Sequence, residues 1–92
     1  MNETVSQNEL ATQHEAAIRA VLHEHGRLSV DAQQVGAEDD LYATGLTSHA
    51  SVNVMLALED EFDIEFPDRL LRKSTFASVA TIGSAIDELT TG

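Results

Sequence analysis

The sequence predicts an all-α domain with three main helices and one short helix. Apolar residues recur at three- and four-residue steps in three separate stretches, and no stretch gives a convincing strand pattern. The 92 residues suffice for one domain, and an aromatic fraction of 4% indicates an aliphatic core. We expect a flexible tail over residues 1–8 and a single domain over residues 9–92.

The first helix is predicted to begin near Glu9 and to end at Gly26. Glycine readily adopts the left-handed conformation that follows many helices. We expect His14 to be a half-buried packing residue on the apolar face. That face repeats at helical spacing and comprises Leu10, His14, Ala17, Ile18, Val21 and Leu22.

A long, ordered but irregular connection is predicted between the first and second helices. Its apolar residues Leu28, Val30 and Val35 are expected to hold it against the core. A short helical turn at residues 39–42 and a bend at Gly45 then lead into the second helix.

The second helix is predicted to run from about Ser48 to Phe62 and to carry two apolar stripes. The second stripe, Val52 and Leu56, makes the helix more apolar than one buried face requires. It is either a docking surface or a further buried face in a tight bundle. The first stripe is expected to be core and comprises Val54, Met55, Leu58 and Phe62.

The remaining chain is predicted to form a short helix and a final long helix. Pro67 ends the segment after the second helix, so residues 68–72 have room for only a short helix, with Leu70 or Leu71 turned inward. Ser78 is the expected N-cap of the last helix. The apolar residues of that helix keep helical spacing at Val79, Ile82, Ala85, Ile86 and Leu89.

Composition and charge exclude several functions. Sixteen acidic and five basic residues give a formal net charge of −11, which repels nucleic acid and anionic membranes and attracts basic partners. The absence of cysteine excludes disulfides, thiolate metal sites and a thiol nucleophile belonging to the chain. The sequence lacks a membrane-spanning apolar run and a secretion signal, which predicts a cytoplasmic location.

Ser48 is the candidate functional residue. It stands at the predicted start of the second helix, where backbone N–H groups lack intrahelical partners and the helix dipole is positive. A phosphate ester on this hydroxyl would be favoured by both features. The alternative is that Ser48 only caps the helix.

Enzymatic and metal-binding functions are disfavoured. Ser48 lies between Leu46 and Ala50, whereas the hydrolase nucleophile elbow has glycines at those positions, and the adjacent His49 points away on a helix. His23 and His25 are two residues apart, so they do not share one helix face. Residues 31–42 resemble a calcium loop but lack its ligands at three positions, and the acidic run 59–65 is typical of a solvated face.

The segment from Asp39 to Pro67, D-D-L-Y-A-T-G-L-T-S-H-A-S-V-N-V-M-L-A-L-E-D-E-F-D-I-E-F-P, resembles the acyl carrier protein family. That family has a G-x-D-S-L motif followed by an acidic, Val/Met/Leu-rich helix and an I-P pair. The first helix, the long loop and the F-A-S-V-A-T-I segment also match in order, so the resemblance covers roughly residues 10–90. It implies a four-helix bundle with a short third helix and a long loop between helices 1 and 2.

The resemblance implies a function that needs no catalytic base in this chain. A phosphopantetheinyl transferase would move 4′-phosphopantetheine from coenzyme A onto Ser48, using magnesium. The terminal thiol of the arm would then hold an acyl group as a thioester. Glu59 and Asp60 would meet basic residues of partner enzymes, and Val52 and Leu56 would supply apolar contact.

Departures from the family pattern favour a particular subtype. Thr47 and His49 replace the residues that usually flank the serine, and Ala50 and Asn53 replace commonly acidic ones. The sequence therefore resembles the freestanding carriers loaded with amino acids by ligases similar to the core of class II aminoacyl-tRNA synthetases. Thr47 and His49 join the candidate partner-binding residues. A carrier for fatty-acid or polyketide-type synthesis and an unmodified acidic helical adaptor are the alternatives, and a monomer is expected.

Overall fold

The computed structural model describes residues 7–91, and within this range the chain forms helices and no strand. The predicted all-α class is therefore confirmed. Residues 1–6 of the predicted tail lie outside the described residues, while Gln7 and Asn8 already belong to the first helix. The elements in chain order are α1 (Gln7–Val21), a π-helical turn (Leu22–Gly26), α2 (Ser48–Phe62), two 3-10 turns (Asp68–Leu70 and Lys73–Phe76) and α3 (Val79–Thr91).

The core lies where the three long helices meet. α1 packs mainly against α3, and α2 packs mainly against the π-helical turn. Apolar side chains at helical spacing on each element fill the space between them, as the sequence periodicity predicts. The fully buried members are Ile18, Leu22, Leu41, Val54, Leu58, Ile82 and Ile86.

The end of the first helical segment differs from the prediction. Arg27, not Gly26, adopts the left-handed conformation, with φ 53° and ψ 41°. Gly26 is buried, and a Cβ atom at this position would lie 3.4 Å from Leu22 Cδ2 and 3.6 Å from Leu28 Cγ. These are ordinary van der Waals distances, so neither the packing nor the backbone angles require glycine here, and the left-handed residue follows one position later at Arg27.

The connection over residues 27–47 is held by buried polar contacts. The Arg19 guanidinium donates from Nη1 to the carbonyl oxygens of Ala32 at 2.7 Å and Val35 at 2.5 Å, and its Nη2 pairs with Glu15 at 2.8 Å. Val35 is buried, as predicted. The prediction for Val30 was wrong, because its side chain is 47% exposed. The connection is held instead by Arg19 and by the buried side chains of Ala32 and Val35.

The segment after α2 contains two 3-10 turns instead of one short helix over residues 68–72. Pro67 precedes the first turn in extended conformation. Leu70 packs against the core, whereas Leu71 is exposed, so the inward leucine is Leu70. The rings of Phe66 and Phe76 meet edge to face with centroids 5.4 Å apart. Aromatic contact thus closes this segment over the core.

α3 begins as the sequence predicts. The Ser78 hydroxyl accepts a hydrogen bond from the Thr81 backbone N–H at 3.1 Å, which caps the helix. Val79, Ile82 and Ile86 are buried, and α3 packs against α1 and against the second 3-10 turn. None of the helices in residues 7–91 combines the length and apolarity needed to cross a bilayer.

Candidate functional site

The turn before α2 requires glycine at position 45. Gly45 has φ +116°, a conformation that L side chains rarely adopt, and a Cβ atom there would lie 3.0 Å from the Ser29 backbone nitrogen. Ser29 approaches so closely because its N–H and its hydroxyl both donate to the Thr44 carbonyl, at 2.8 and 2.7 Å. These hydrogen bonds therefore hold the start of the connection against the turn that precedes α2.

Thr47, and not Ser48, caps α2. The Thr47 hydroxyl accepts a hydrogen bond from the Ala50 backbone N–H at 3.0 Å, and Thr47 has extended backbone angles of φ −95° and ψ 164°. The first intrahelical bond runs from the Ser51 N–H to the Thr47 carbonyl at 2.9 Å. Ser48 is the first residue of the helix, so the alternative that it only caps α2 is wrong.

The Ser48 side chain faces solvent. Thr47, Ser48 and His49 are all exposed. Among the described residues, no hydrogen bond engages the Ser48 hydroxyl or joins it to His49. The backbone N–H groups of Ser48 and His49 precede the first intrahelical bond and are available to an anion.

The two apolar stripes of α2 have different environments. Val54 and Leu58 are fully buried, and Met55 and Phe62 are partly buried against the core. The predicted packing role of His14 is confirmed by its edge-to-face contact with Phe62, with ring centroids 5.4 Å apart. Val52 and Leu56, in contrast, are 51% and 52% exposed. The second stripe is therefore not a further buried face.

A groove begins at Ser48 and follows one side of α2. We call it the serine groove; its volume is about 340 Å³. Tyr42 holds its far wall, because the tyrosine hydroxyl donates to the Lys73 carbonyl at 3.2 Å and the Lys73 Nζ lies 4.7 Å from the ring centroid. Its lining includes Tyr42, Ser48, Val52, Leu71, Arg72 and Lys73.

The surroundings of Tyr42 shift the pKa of its hydroxyl. Burial raises the pKa of its hydroxyl above the ordinary value of 10.0, a hydrogen bond with Ser51 opposes the rise, and the Asp40 carboxylate adds to it. A protonated tyrosine keeps the hydrogen bond that it donates to the Lys73 carbonyl. Tyr42 therefore holds the Lys73 backbone in place at this wall of the serine groove.

A second groove lies on the other side of α2, against the π-helical turn. We call it the acidic groove; its volume is about 470 Å³. Its lining includes Val21, Glu24, His25, Leu56, Asp60 and Glu61. Sequence reasoning missed Glu24 and His25 here, and Arg72 and Lys73 in the serine groove, because no spacing rule brings residues from separate elements to one groove.

The acidic residues of α2 do not all face solvent equally. Glu59 Oε2 accepts a hydrogen bond from the Phe66 backbone N–H at 2.9 Å, which helps to fold the segment after α2 back along the helix. Asp60 and Glu61 are exposed at the acidic groove. The assignment of Glu59 and Asp60 to partner contact stays a prediction.

The aspartates of the calcium-loop-like segment accept backbone hydrogen bonds. Asp31 Oδ1 accepts from the Gln33 backbone N–H at 2.9 Å, and Asp39 Oδ2 accepts from the Gly36 N–H at 2.8 Å. Within the described part of the chain, no group of three or more His, Cys, Asp or Glu side chains is arranged to hold a metal ion. These aspartates stabilise turns of the connection.

Comparisons with known proteins agree with this geometry. Residues 17–83 match the family model described as the phosphopantetheine attachment site. An aminoacyl carrier protein of Agrobacterium fabrum is 46% identical over 71 residues, which are 77% of this chain and 86% of the relative.

Two solved structures match over most of their length. One is a chain in the crystal structure of an engineered Bradyrhizobium japonicum glycine:carrier protein ligase complexed with carrier protein from Agrobacterium tumefaciens and AMP. It shows 45% identity and a TM-score of 0.78, with coverage of 79% of this chain and 97% of that one. The corresponding complex with ATP gives 43% identity, a TM-score of 0.80, and coverage of 83% and 99%.

Proposed function

The chain belongs to the family of phosphopantetheine attachment domains, and we propose that it carries an aminoacyl group on a 4′-phosphopantetheine arm attached to Ser48. The observation that carries the proposal is the position of Ser48. It is exposed at the first residue of α2, while Thr47 supplies the cap that a serine in this region would otherwise provide. Its hydroxyl is therefore free for modification.

The residues around Ser48 fit the phosphate of such an arm. The backbone N–H groups of Ser48 and His49 lie at the positive end of the α2 dipole, where a phosphodiester is favoured. The arm supplies the thiol that this cysteine-free chain lacks, and the cargo is held there as a thioester. We propose no catalytic role for the chain itself; the transferase supplies the chemistry of attachment, with coenzyme A and magnesium.

The exposed side chains beside Ser48 support a role in partner recognition. Val52 and Leu56 are half exposed although both are large and apolar, which is unusual for a helix face that contacts only water. Together with Thr47 and His49, they form a surface that an enzyme acting on the arm must approach. Glu59 and Asp60 extend it with negative charge, which speeds encounter with a basic partner.

An amino acid-activating ligase is the partner that the relatives support. The similar solved structures hold a carrier protein with a glycine:carrier protein ligase. We propose a ligase of this chemistry as the loading enzyme, with a core resembling class II aminoacyl-tRNA synthetases. We further propose that the two 3-10 turns correspond to the short third helix of a four-helix carrier bundle. A monomer in the cytoplasm stays the expectation from sequence.

Attachment is tested by mass. The chain is incubated with coenzyme A, magnesium and a broad-specificity phosphopantetheinyl transferase, and its intact mass is measured. We expect the addition of one phosphopantetheine, lost in Ser48→Ala and kept in the matched control Ser51→Ala, which removes a hydroxyl that donates to the Ser48 carbonyl at 2.7 Å. An unchanged wild-type mass, under conditions that modify another carrier, would overturn the proposal.

The cargo is tested on the modified chain. Amino acids and fatty acids are offered separately, each with ATP and a matching ligase, and the product is weighed. We expect an aminoacyl adduct that hydroxylamine releases, since hydroxylamine cleaves thioesters. Loading with fatty acids alone would instead support the alternative of a carrier for fatty-acid synthesis.

A further inference from the structure

The sides of α2 differ in charge. The acidic groove carries Glu24 from the π-helical turn and Asp60 and Glu61 from α2. The serine groove, on the other side, carries Arg72 and Lys73. A basic group that approaches α2 is therefore attracted to one side and repelled from the other.

The other three basic residues are Arg19, Arg27 and Arg69, and none of them lines either groove. Arg27 is exposed and directly follows the π-helical turn. Arg19 is buried in its pair with Glu15. Arg69 forms an ion pair with Glu88 of α3. Arg72 and Lys73 thus stand beside Ser48 as a small positive area on a protein of net charge −11.

The acidic groove has the chemistry of a site for a long basic side chain. Val21, Leu56 and Ala57 give it an apolar floor, and Leu56 is 52% exposed there. Lysine and arginine place an apolar stem on such surface while their charged ends reach carboxylates. Glu24 is well placed to receive the charge, because its side chain is 73% exposed and its only ion-pair neighbour, within the part of the chain that the structure describes, is His25 at 3.6 Å.

We propose that the enzyme that loads the arm inserts a lysine or arginine side chain into the acidic groove, so that the π-helical turn forms part of the docking surface. This inference rests on the proposed function. The apolar stripe Val52 and Leu56 lies between the two grooves, and the charge difference across it fixes the orientation of the partner. The docked enzyme then meets Ser48 from one direction only.

The test compares two charge reversals on the modified chain. Glu24→Lys changes the acidic groove, and Glu38→Lys makes the same change in net charge at an exposed residue of the connection that lines neither groove. The readout is kcat/KM for amino acid loading by the amino acid:carrier protein ligase, with carrier concentration varied. We expect Glu24→Lys to lower kcat/KM by about fivefold or more and Glu38→Lys to change it less than twofold.

Ionic strength gives a second readout. Added salt should lower kcat/KM of the wild type and of Glu38→Lys, and the dependence should be flatter for Glu24→Lys because one attractive charge is gone. Glu61→Lys, at the same groove, should behave like Glu24→Lys. Circular dichroism melting of each variant separates a docking defect from a folding defect.

The outcomes distinguish the docking proposal from the proposed carrier function. Each variant is first weighed to verify phosphopantetheine on Ser48. If the modified wild type is loaded and Glu24→Lys equals Glu38→Lys at every salt concentration, the docking proposal is overturned while the carrier function stands. If no ligase loads the modified wild type with an amino acid, both are overturned.

Discussion

The helix α2 and the connection over residues 27–47 meet at Ser48, and they are held in opposite ways. α2 is regular, yet its outer face leaves Val52 and Leu56 half exposed. The connection has no regular structure, yet Arg19 binds two of its carbonyl oxygens and Leu41 is fully buried. The connection is thus fixed by buried contacts although it lacks regular secondary structure. The helix α2 is regular, yet it keeps an exposed apolar face that other molecules can contact.

The largest expected effect separates the two faces of α2. Leu58→Ala removes a fully buried side chain and should lower the free energy of unfolding by about 2–5 kcal/mol. Leu56→Ala removes a half-exposed side chain two residues earlier and should change it by no more than about 0.5 kcal/mol. Urea denaturation followed by circular dichroism measures both. Equal losses would mean that the outer face is structural.

The next effect concerns the anchor of the connection. Arg19→Met leaves the carbonyl oxygens of Ala32 and Val35 without their donor and should cost about 2–3 kcal/mol of unfolding free energy. Arg69→Met, which removes an exposed ion pair with Glu88, is the matched control and should cost less than about 1 kcal/mol. Hydrogen exchange should increase at residues 29–36 in Arg19→Met. Unchanged exchange there would contradict the anchor.

A smaller effect is expected where the connection turns into α2. Gly45→Ala places a side chain at φ +116° and 3.0 Å from the Ser29 nitrogen, and it should cost about 1–2 kcal/mol. Gly83→Ala in α3 is the control, because the nearest atom to its new Cβ is Ile18 Cδ1 at 3.8 Å. It should stabilise the helix by about 0.5–1 kcal/mol. Thermal melts of the two variants should therefore shift in opposite directions.

The smallest effect is the titration of Tyr42. Its pKa is raised in the folded chain, so the protonated form is favoured by folding; that stability is fully present below pH 10.0 and is lost as the pH rises through the folded pKa. Tyr42 is the chain's single tyrosine and the chain has no tryptophan, so ultraviolet absorbance reports it alone. We expect a midpoint above that of the urea-unfolded chain. A folded midpoint at or below the unfolded one would refute the burial argument.

Sequence reasoning succeeded where a structural cause lies within one element. The bounds of α2 at Ser48 and Phe62 and the cap at Ser78 follow from local patterns. It failed at Gly26, because the left-handed residue at the helix end is Arg27, and an arginine gives no local sign of that conformation. The cap at Thr47 was missed because Thr47 and Ser48 are both good caps, and composition does not choose between neighbours.

Contacts between residues far apart in the chain could not be predicted from the sequence. The periodicity of α1 gives no sign that Arg19 reaches carbonyl oxygens 13 and 16 residues away. The π-helical turn places Glu24 in the same groove as Asp60, and no rule of spacing connects them. Ser48 itself was found because a helix start leaves a signature in consecutive residues. The grooves on either side of it exist only after folding.

The hydroxyl of Thr47 frees its neighbour from any duty in holding the helix together. Attaching the prosthetic group should therefore remove no contact from the folded scaffold, and the favourable position of its phosphate at the start of α2 should raise the melting temperature slightly. We expect the chain without the arm, with the arm and with the loaded arm to share one fold and a similar resistance to proteolysis. A partner enzyme would then distinguish the three forms by the arm and its cargo.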